Sequence, residues 1–136
     1  TIFYYHDKTN VESKHKGGNT IKNTICTDQA PAAIGPYAQA AVWGGLCFTS
    51  GQLPMDPATG AFPKGIQAQT RQSLANVKAI LEKAGSGMDQ VIKTTVFLSD
   101  MDDFTAMNEV YASFFKEGSY PARSAVEVAR LPRDAL

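Results

Sequence analysis

At 136 residues the chain is sized for one folded domain that buries its own core, and thirteen Lys and Arg against thirteen Asp and Glu leave no net charge. Such a balance creates no field that recruits nucleic acid or an anionic membrane, so a small ligand is the expected partner. Cys26 and Cys47 form neither a CxxC pair nor a zinc pattern with His6 and His15, which sets metal and disulfide chemistry aside and suits a reducing, cytoplasmic setting. No apolar stretch reaches membrane-spanning length and no signal-peptide pattern opens the chain, so it reads as soluble.

Residues 1–22 differ in composition from the rest. Thr1 to Tyr5 is β-prone and aromatic, whereas Asp7 to Asn19 is polar and broken by Gly17-Gly18. With little to bury after Tyr5, residues 1–22 read as an extension or leader, and residues 23–136 as the folded domain. Lys8, Lys14, Lys16 and Lys22 are offset by Asp7 and Glu12, and His6 and His15 in such a segment make no preformed site.

From Ile25 onward the pattern is regular. Strands around Ala38 to Val42 and Leu46 to Ser50 flank Gly44-Gly45 and predict a hairpin. Ile66, Thr70, Leu74, Val77, Leu81 and Ala84 recur at helical spacing, with Pro63 and Gly65 at the start and Gly85 as the cap. Val91 to Leu98, rich in β-branched residues, predicts a strand. Asp102 and Asp103 open a second helix with the stripe Phe104, Met107, Val110, Tyr111 and Phe114, stopped by Gly118. Pro121 leads into a last strand, Arg123 to Ala129, whose two-residue period places Arg123, Ala125, Glu127 and Ala129 on one face and Ser124, Val126 and Val128 on the other.

Alternating strands and helices predict an α/β (α+β) fold with both helices on one side of the sheet. The opposite sheet face is then apolar and bare, which predicts a homo-oligomer that covers it. Arg123, at the mouth of an apolar strand, offers a rigid fork of donors that matches a carboxylate. Ile34-Gly35-Pro36-Tyr37 and Thr49-Ser50-Gly51-Gln52 add a phenol, hydroxyls and tight turns, the makings of a small-molecule pocket. If the sheets of several subunits pack together, Arg123 falls near the shared surface and the pocket lies between subunits.

Five segments in order, Ala30 to Tyr37, Thr49 to Pro54, Ala75 to Ile80, Lys93 to Phe97, and Tyr120-Pro121-Ala122-Arg123-Ser124 through Leu131-Pro132, resemble the RidA (YjgF) family of reactive intermediate deaminases. The resemblance runs from about Thr24 to Leu136. It implies a chorismate-mutase-like fold assembled as a homotrimer with clefts between subunits. The activity it implies is hydrolysis of 2-imino acids or their enamine tautomers (2-aminoacrylate, 2-iminobutanoate, 2-iminopropanoate) to 2-keto acids and ammonia, with no cofactor and no metal. Arg123 then clamps the substrate carboxylate, Tyr37 closes the pocket and bonds the nitrogen or the water, Ser50 and Gly51 line the wall, and the backbone near Ala125 touches the ligand.

The chain departs from the family pattern at two points. Ala125 stands where many relatives carry a cysteine, so it offers only backbone contacts and space. The family continues past Leu131-Pro132 into a last strand bearing a water-positioning glutamate, and this sequence stops at Leu136. Glu127, on the Arg123 face, is the carboxylate expected nearby, and Thr1 to Tyr5 is one candidate for a replacement strand. The resemblance also admits a non-catalytic trimer that binds small carboxylates, and a translation inhibitor with ribonuclease activity, which balanced charge and a core without a histidine pair disfavour.

Overall fold

A computed structural model describes residues 21–136 in full and Ile2–Lys8 as a backbone strand. In chain order the elements are β1 (Ile2–Lys8), β2 (Asn23–Ile25), β3 (Ala40–Trp43), β4 (Leu46–Thr49), α1 (Ile66–Lys83), β5 (Val91–Leu98), α2 (Phe104–Ala112) and β6 (Ala122–Glu127), with short 3-10 turns at Met88–Gln90, Met101–Asp103 and Pro132–Asp134. The strands form one six-stranded sheet in the order β2-β3-β4-β1-β5-β6. Its pairs are antiparallel except β5 with β6, which is parallel, so the sheet is mixed.

The hairpin forms where the glycines require it. Gly44 and Gly45 have φ of 60° and 77°, and Trp43 pairs with Leu46 across them. A two-residue loop with both φ positive matches the twist of its flanking strands, and only glycine takes that geometry without strain.

Both helices lie against one face of the sheet. Leu74, Val77, Ile80 and Leu81 of α1 and Met107 of α2 are fully buried with Cys47, Val96 and Leu98 of the strands. Full burial of an aliphatic side chain contributes about 1.5–3 kcal/mol, so this layer dominates the stability of the domain. Along β3 and β4 the alternate residues are turned away from it, and Trp43 and Phe48 are exposed, as is Val126 of β6. The helix-free face expected from the element order thus exposes large apolar side chains, beside a polar patch where Lys93 Nζ donates to Ser124 Oγ at 2.8 Å.

α1 ends as the sequence predicts, with the Ser86 N–H donating to Leu81 O at 2.9 Å and the Gly85 N–H to Glu82 O at 3.0 Å. α2 differs from expectation at both ends. Asp100 caps the 3-10 turn Met101–Asp103 that leads into it, its Oδ1 accepting the Asp102 N–H at 2.9 Å, while Asp103, the N-cap residue of α2 itself, makes no side-chain cap bond. It stops at Ala112, well before Gly118, because the Ser113 hydroxyl donates to Val110 O at 2.6 Å; Phe114 then lies in the following turn.

β6 is shorter than the predicted 123–129, spanning Ala122–Glu127, with the Val128 N–H still donating to Leu98 O at 2.9 Å. Strand β1, in the segment read as an extension, occupies the middle of the sheet, where Ile2–Asp7 pair with β5 and His6–Lys8 with β4. The free edges of β4 and β5 give the physical reason for this pairing, since each is a row of amides and carbonyls that a β-prone segment satisfies. His15, Lys14, Lys16 and Gly17-Gly18 lie outside the described residues.

Candidate functional site

The alternation read for β6 sets the first half of the site. Arg123 pairs with Thr94 and Ala125 with Val96, both fully buried, so Arg123 and Ala125 point to the helix side of the sheet. Arg123 thus reaches α2 from the edge strand, and the helix-free face carries Val126.

On α2, Phe104, Asn108 and Tyr111 occupy one face at i, i+4 and i+7 and hold the guanidinium. Its carbon sits 4.6 Å from the centre of the Tyr111 ring and 5.4 Å from that of Phe104, and Nη1 donates to Asn108 Oδ1 at 2.6 Å. Cation–π contact and a charge-assisted hydrogen bond keep the fork in one place without neutralising it. A cavity of about 490 Å³ opens beside it, lined by Asn108, Tyr111, Ala112, Tyr120, Pro121 and Arg123.

Tyr111 is anchored in turn, its hydroxyl 2.8 Å from Thr94 Oγ1. Burial raises the pKa of its phenol above 10.0, an effect that the Thr94 hydrogen bond and the Arg123 charge oppose. The phenol is therefore a neutral platform beneath the guanidinium at any physiological pH.

Tyr37 belongs to a second cavity, of about 420 Å³, whose walls include Ile34, Gly51, Gln52 and Leu53. The Tyr37 N–H donates to Gly35 O at 2.8 Å in a tight turn, and a Cβ at Gly35 would stand 3.2 Å from the ring. Two buried amides fix the walls. Gln39 accepts the Thr27 N–H at 2.7 Å and donates to Pro31 O at 2.8 Å. Asn76 donates to Leu53 O at 3.1 Å and Met55 O at 2.9 Å, while its Oδ1 accepts from Gln72.

The remaining expected residues have other engagements. Ser50 donates its hydroxyl to Ala38 O at 2.6 Å and its N–H to Gln39 O at 2.8 Å, tying the ends of the hairpin together beside Gly51. Glu127 Oε2 accepts the Met101 N–H at 2.7 Å, so its carboxylate anchors the loop before α2 and not Arg123. Within one chain the Arg123 and Tyr37 cavities share no lining residue. Phe104, Asn108 and Tyr111 escape the sequence reading as site residues because an apolar helical stripe looks the same whether it faces core or ligand; the polar Asn108 one turn from Phe104 is the available signal. Among the described residues, no group of three or more His, Cys, Asp or Glu is placed to hold a metal ion, and no helix is long and apolar enough to cross a membrane.

Residues 27–136 match the family model described as Endoribonuclease L-PSP. The chain is 53% identical over 116 residues to the 2-iminobutanoate/2-iminopropanoate deaminase of Escherichia coli strain K12, a match covering 84% of this chain and 91% of that protein. It is 59% identical over 113 residues to a RutC family protein of Haemophilus influenzae, covering 81% and 87%. The crystal structure of E. coli TdcF with bound serine is similar with a TM-score of 0.80 and 51% identity, covering 83% of this chain and 91% of that one.

Proposed function

The chain belongs to the RidA/YjgF family, and on that premise we propose that it hydrolyses 2-imino acids and their enamine tautomers to 2-keto acids and ammonia. The observation that carries the reading is the Arg123 guanidinium, held by Phe104, Asn108 and Tyr111 at the wall of a cavity of small-molecule size. At 53% identity, the deaminases of E. coli and Salmonella typhimurium supply the reaction class.

Arg123 pairs with the substrate carboxylate through two parallel hydrogen bonds and fixes the plane of the adjacent imine. An enamine first takes a proton at its β-carbon. Water then adds to the imine carbon as the C=N electron pair moves to nitrogen, which takes a proton. The resulting carbinolamine loses ammonia as the C–N bond breaks, its hydroxyl proton leaves, and the C=O bond forms. Pairing the carboxylate with Arg123 withdraws its negative charge from the reacting carbon, which favours attack.

Tyr37 and Gly51 complete the site from a neighbouring copy in a homotrimer, which brings the second cavity to the Arg123 cavity of the first chain. The separation of these cavities within one chain and the exposed Trp43, Phe48 and Val126 of the helix-free face both support that assembly. Tyr37 donates a hydrogen bond to the imine nitrogen or the attacking water. With Glu127 bound to Met101, the carboxylate beside β6 is not free to serve as base. The test is to generate 2-iminobutanoate from threonine with a dehydratase and follow its lifetime by semicarbazide trapping. The purified chain shortens that lifetime; an unchanged lifetime with a folded, oligomeric sample overturns the reading.

A further inference from the structure

Gln39, Gln52, Gln69 and Asn76 are the buried side-chain amides among the described residues, and three of them are engaged at both ends. Gln39 and Asn76 accept from Thr27 and Gln72 while donating to wall carbonyls. Gln69 Oε1 accepts the Leu136 N–H at 2.9 Å, and its Nε2 donates to Pro63 O at 3.1 Å. Gln52, only 5% exposed, uses its nitrogen alone: Nε2 donates to Ser50 O at 3.1 Å and lies 3.5 Å from Gly51 O. Those carbonyls fix the orientation of the amide, because turning its oxygen toward them would set acceptor against acceptor. Oε1 therefore points away from its own turn, and no described residue donates to it. It is not sealed in the core either, since Gln52 lines the cavity of about 420 Å³ that also holds Tyr37 and Gly51. A buried acceptor left open is costly, and one at a cavity wall calls for a donor from a ligand.

No Asp, Glu or His is among the described residues lining this cavity or that of Arg123, and Asn108 Oδ1 is taken by the guanidinium. Gln52 Oε1 is thus the open side-chain amide oxygen of the joined site. We infer that Gln52 is a catalytic residue of the hydrolysis, an inference that rests on the deaminase reading: its Oε1 accepts a hydrogen bond from the attacking water and aims it at the imine carbon. A water held by one O–H turns a lone pair away from the acceptor and toward the electrophile. An amide oxygen is too weak a base to take the proton, so Gln52 orients the water without ionising it. The O–H held by Gln52 stays on the carbinolamine hydroxyl, while the other proton of the water passes to nitrogen as the C=N electron pair moves there. Tyr37, on the same cavity, supplies the donor and Gln52 the acceptor.

The test compares kcat and KM for 2-iminobutanoate, generated from threonine with a dehydratase, in the parent chain, Gln52→Met, Gln52→Leu and Gln52→Glu, with Tm measured for each. Methionine has the length of glutamine and suits the apolar wall of Leu53 and Met55, so the fold is kept; leucine is the second variant without an acceptor. In both, kcat falls at least about tenfold while KM stays within about twofold. Affinity for 2-oxobutanoate, measured by calorimetry, is unchanged, because a keto oxygen brings no hydrogen for Oε1. Gln52→Glu keeps an acceptor in place, so its kcat exceeds that of Gln52→Met, while a carboxylate near that of the substrate raises KM. Parent-level kcat in Gln52→Met and Gln52→Leu overturns the inference. So does a loss carried by KM or by 2-oxobutanoate affinity, which assigns Gln52 to shaping the wall. A parent chain that leaves the imine lifetime unchanged overturns the deaminase reading itself, and this inference with it.

Discussion

Asn108 Oδ1 accepts a 2.6 Å hydrogen bond from Nη1 of Arg123, joining helix α2 to the edge strand β6. The bond uses one side of the guanidinium and leaves the charge unneutralised, which is what a carboxylate clamp requires.

Asn108→Ala frees the fork, and kcat/KM for 2-iminobutanoate falls about tenfold, chiefly through KM, in line with about 1.5 kcal/mol for a hydrogen bond to a charged group. Asn108→Asp is the sharper variant. Its carboxylate pairs with Arg123 and competes with substrate, so its activity falls below that of Asn108→Ala. Steady-state kinetics of the two variants check the order, and an Asn108→Asp enzyme as active as the parent contradicts the role given to Asn108.

Tyr111→Phe keeps the ring beneath Arg123 but strands the buried Thr94 hydroxyl. Stability falls by about 1–2 kcal/mol while kcat/KM changes little. The pH dependence follows from the raised phenol pKa. Below pH 10.0 the phenol is protonated in both folded and unfolded chains; above it the unfolded chain loses the proton first, so stability declines as pH rises toward the folded value. Urea midpoints measured between pH 8 and 11 show this alkaline loss in the parent and a shallower one in Tyr111→Phe.

Asn76→Ala leaves the carbonyls of Leu53 and Met55 without the amide that binds them and opens a small void beneath the second cavity. The expected cost is about 2–3 kcal/mol in chemical denaturation. Gln72→Ala, which removes only the outer partner of Asn76, costs under about 1 kcal/mol. Equal losses in the two variants contradict Asn76 as the anchor of this wall.

What the sequence discloses is what local periodicity controls. The Gly44-Gly45 hairpin, the buried face of α1, the limits of β5 and the alternation along β6 are written in spacing and turn residues, and each forms where expected. The end of α2 is not, because one Ser113 hydroxyl decides it against an apolar stripe that continues to Phe114. Glu127 reads as a neighbour of Arg123 on the strand, yet its partner is an amide 26 residues away that only the packed fold brings close. Likewise β-propensity marks Thr1 to Tyr5, but the place of β1 is set by the unfilled edges of β4 and β5, which local sequence does not encode. Arg123 is legible from its chemistry and position; the stripe that holds it depends on how α2 crosses β6.

The central claim is that Arg123 is the carboxylate clamp of an imine-hydrolysing site. The most direct measurement compares kcat/KM for 2-iminobutanoate, generated in situ and timed by semicarbazide trapping, in the parent chain, Arg123→Ala and Arg123→Lys, each checked for unchanged folding and oligomeric state. Activity is expected to fall at least about a hundredfold in Arg123→Ala and to recover only partly in Arg123→Lys, because a point charge does not reproduce two parallel hydrogen bonds. Parent-level activity in Arg123→Ala contradicts the account.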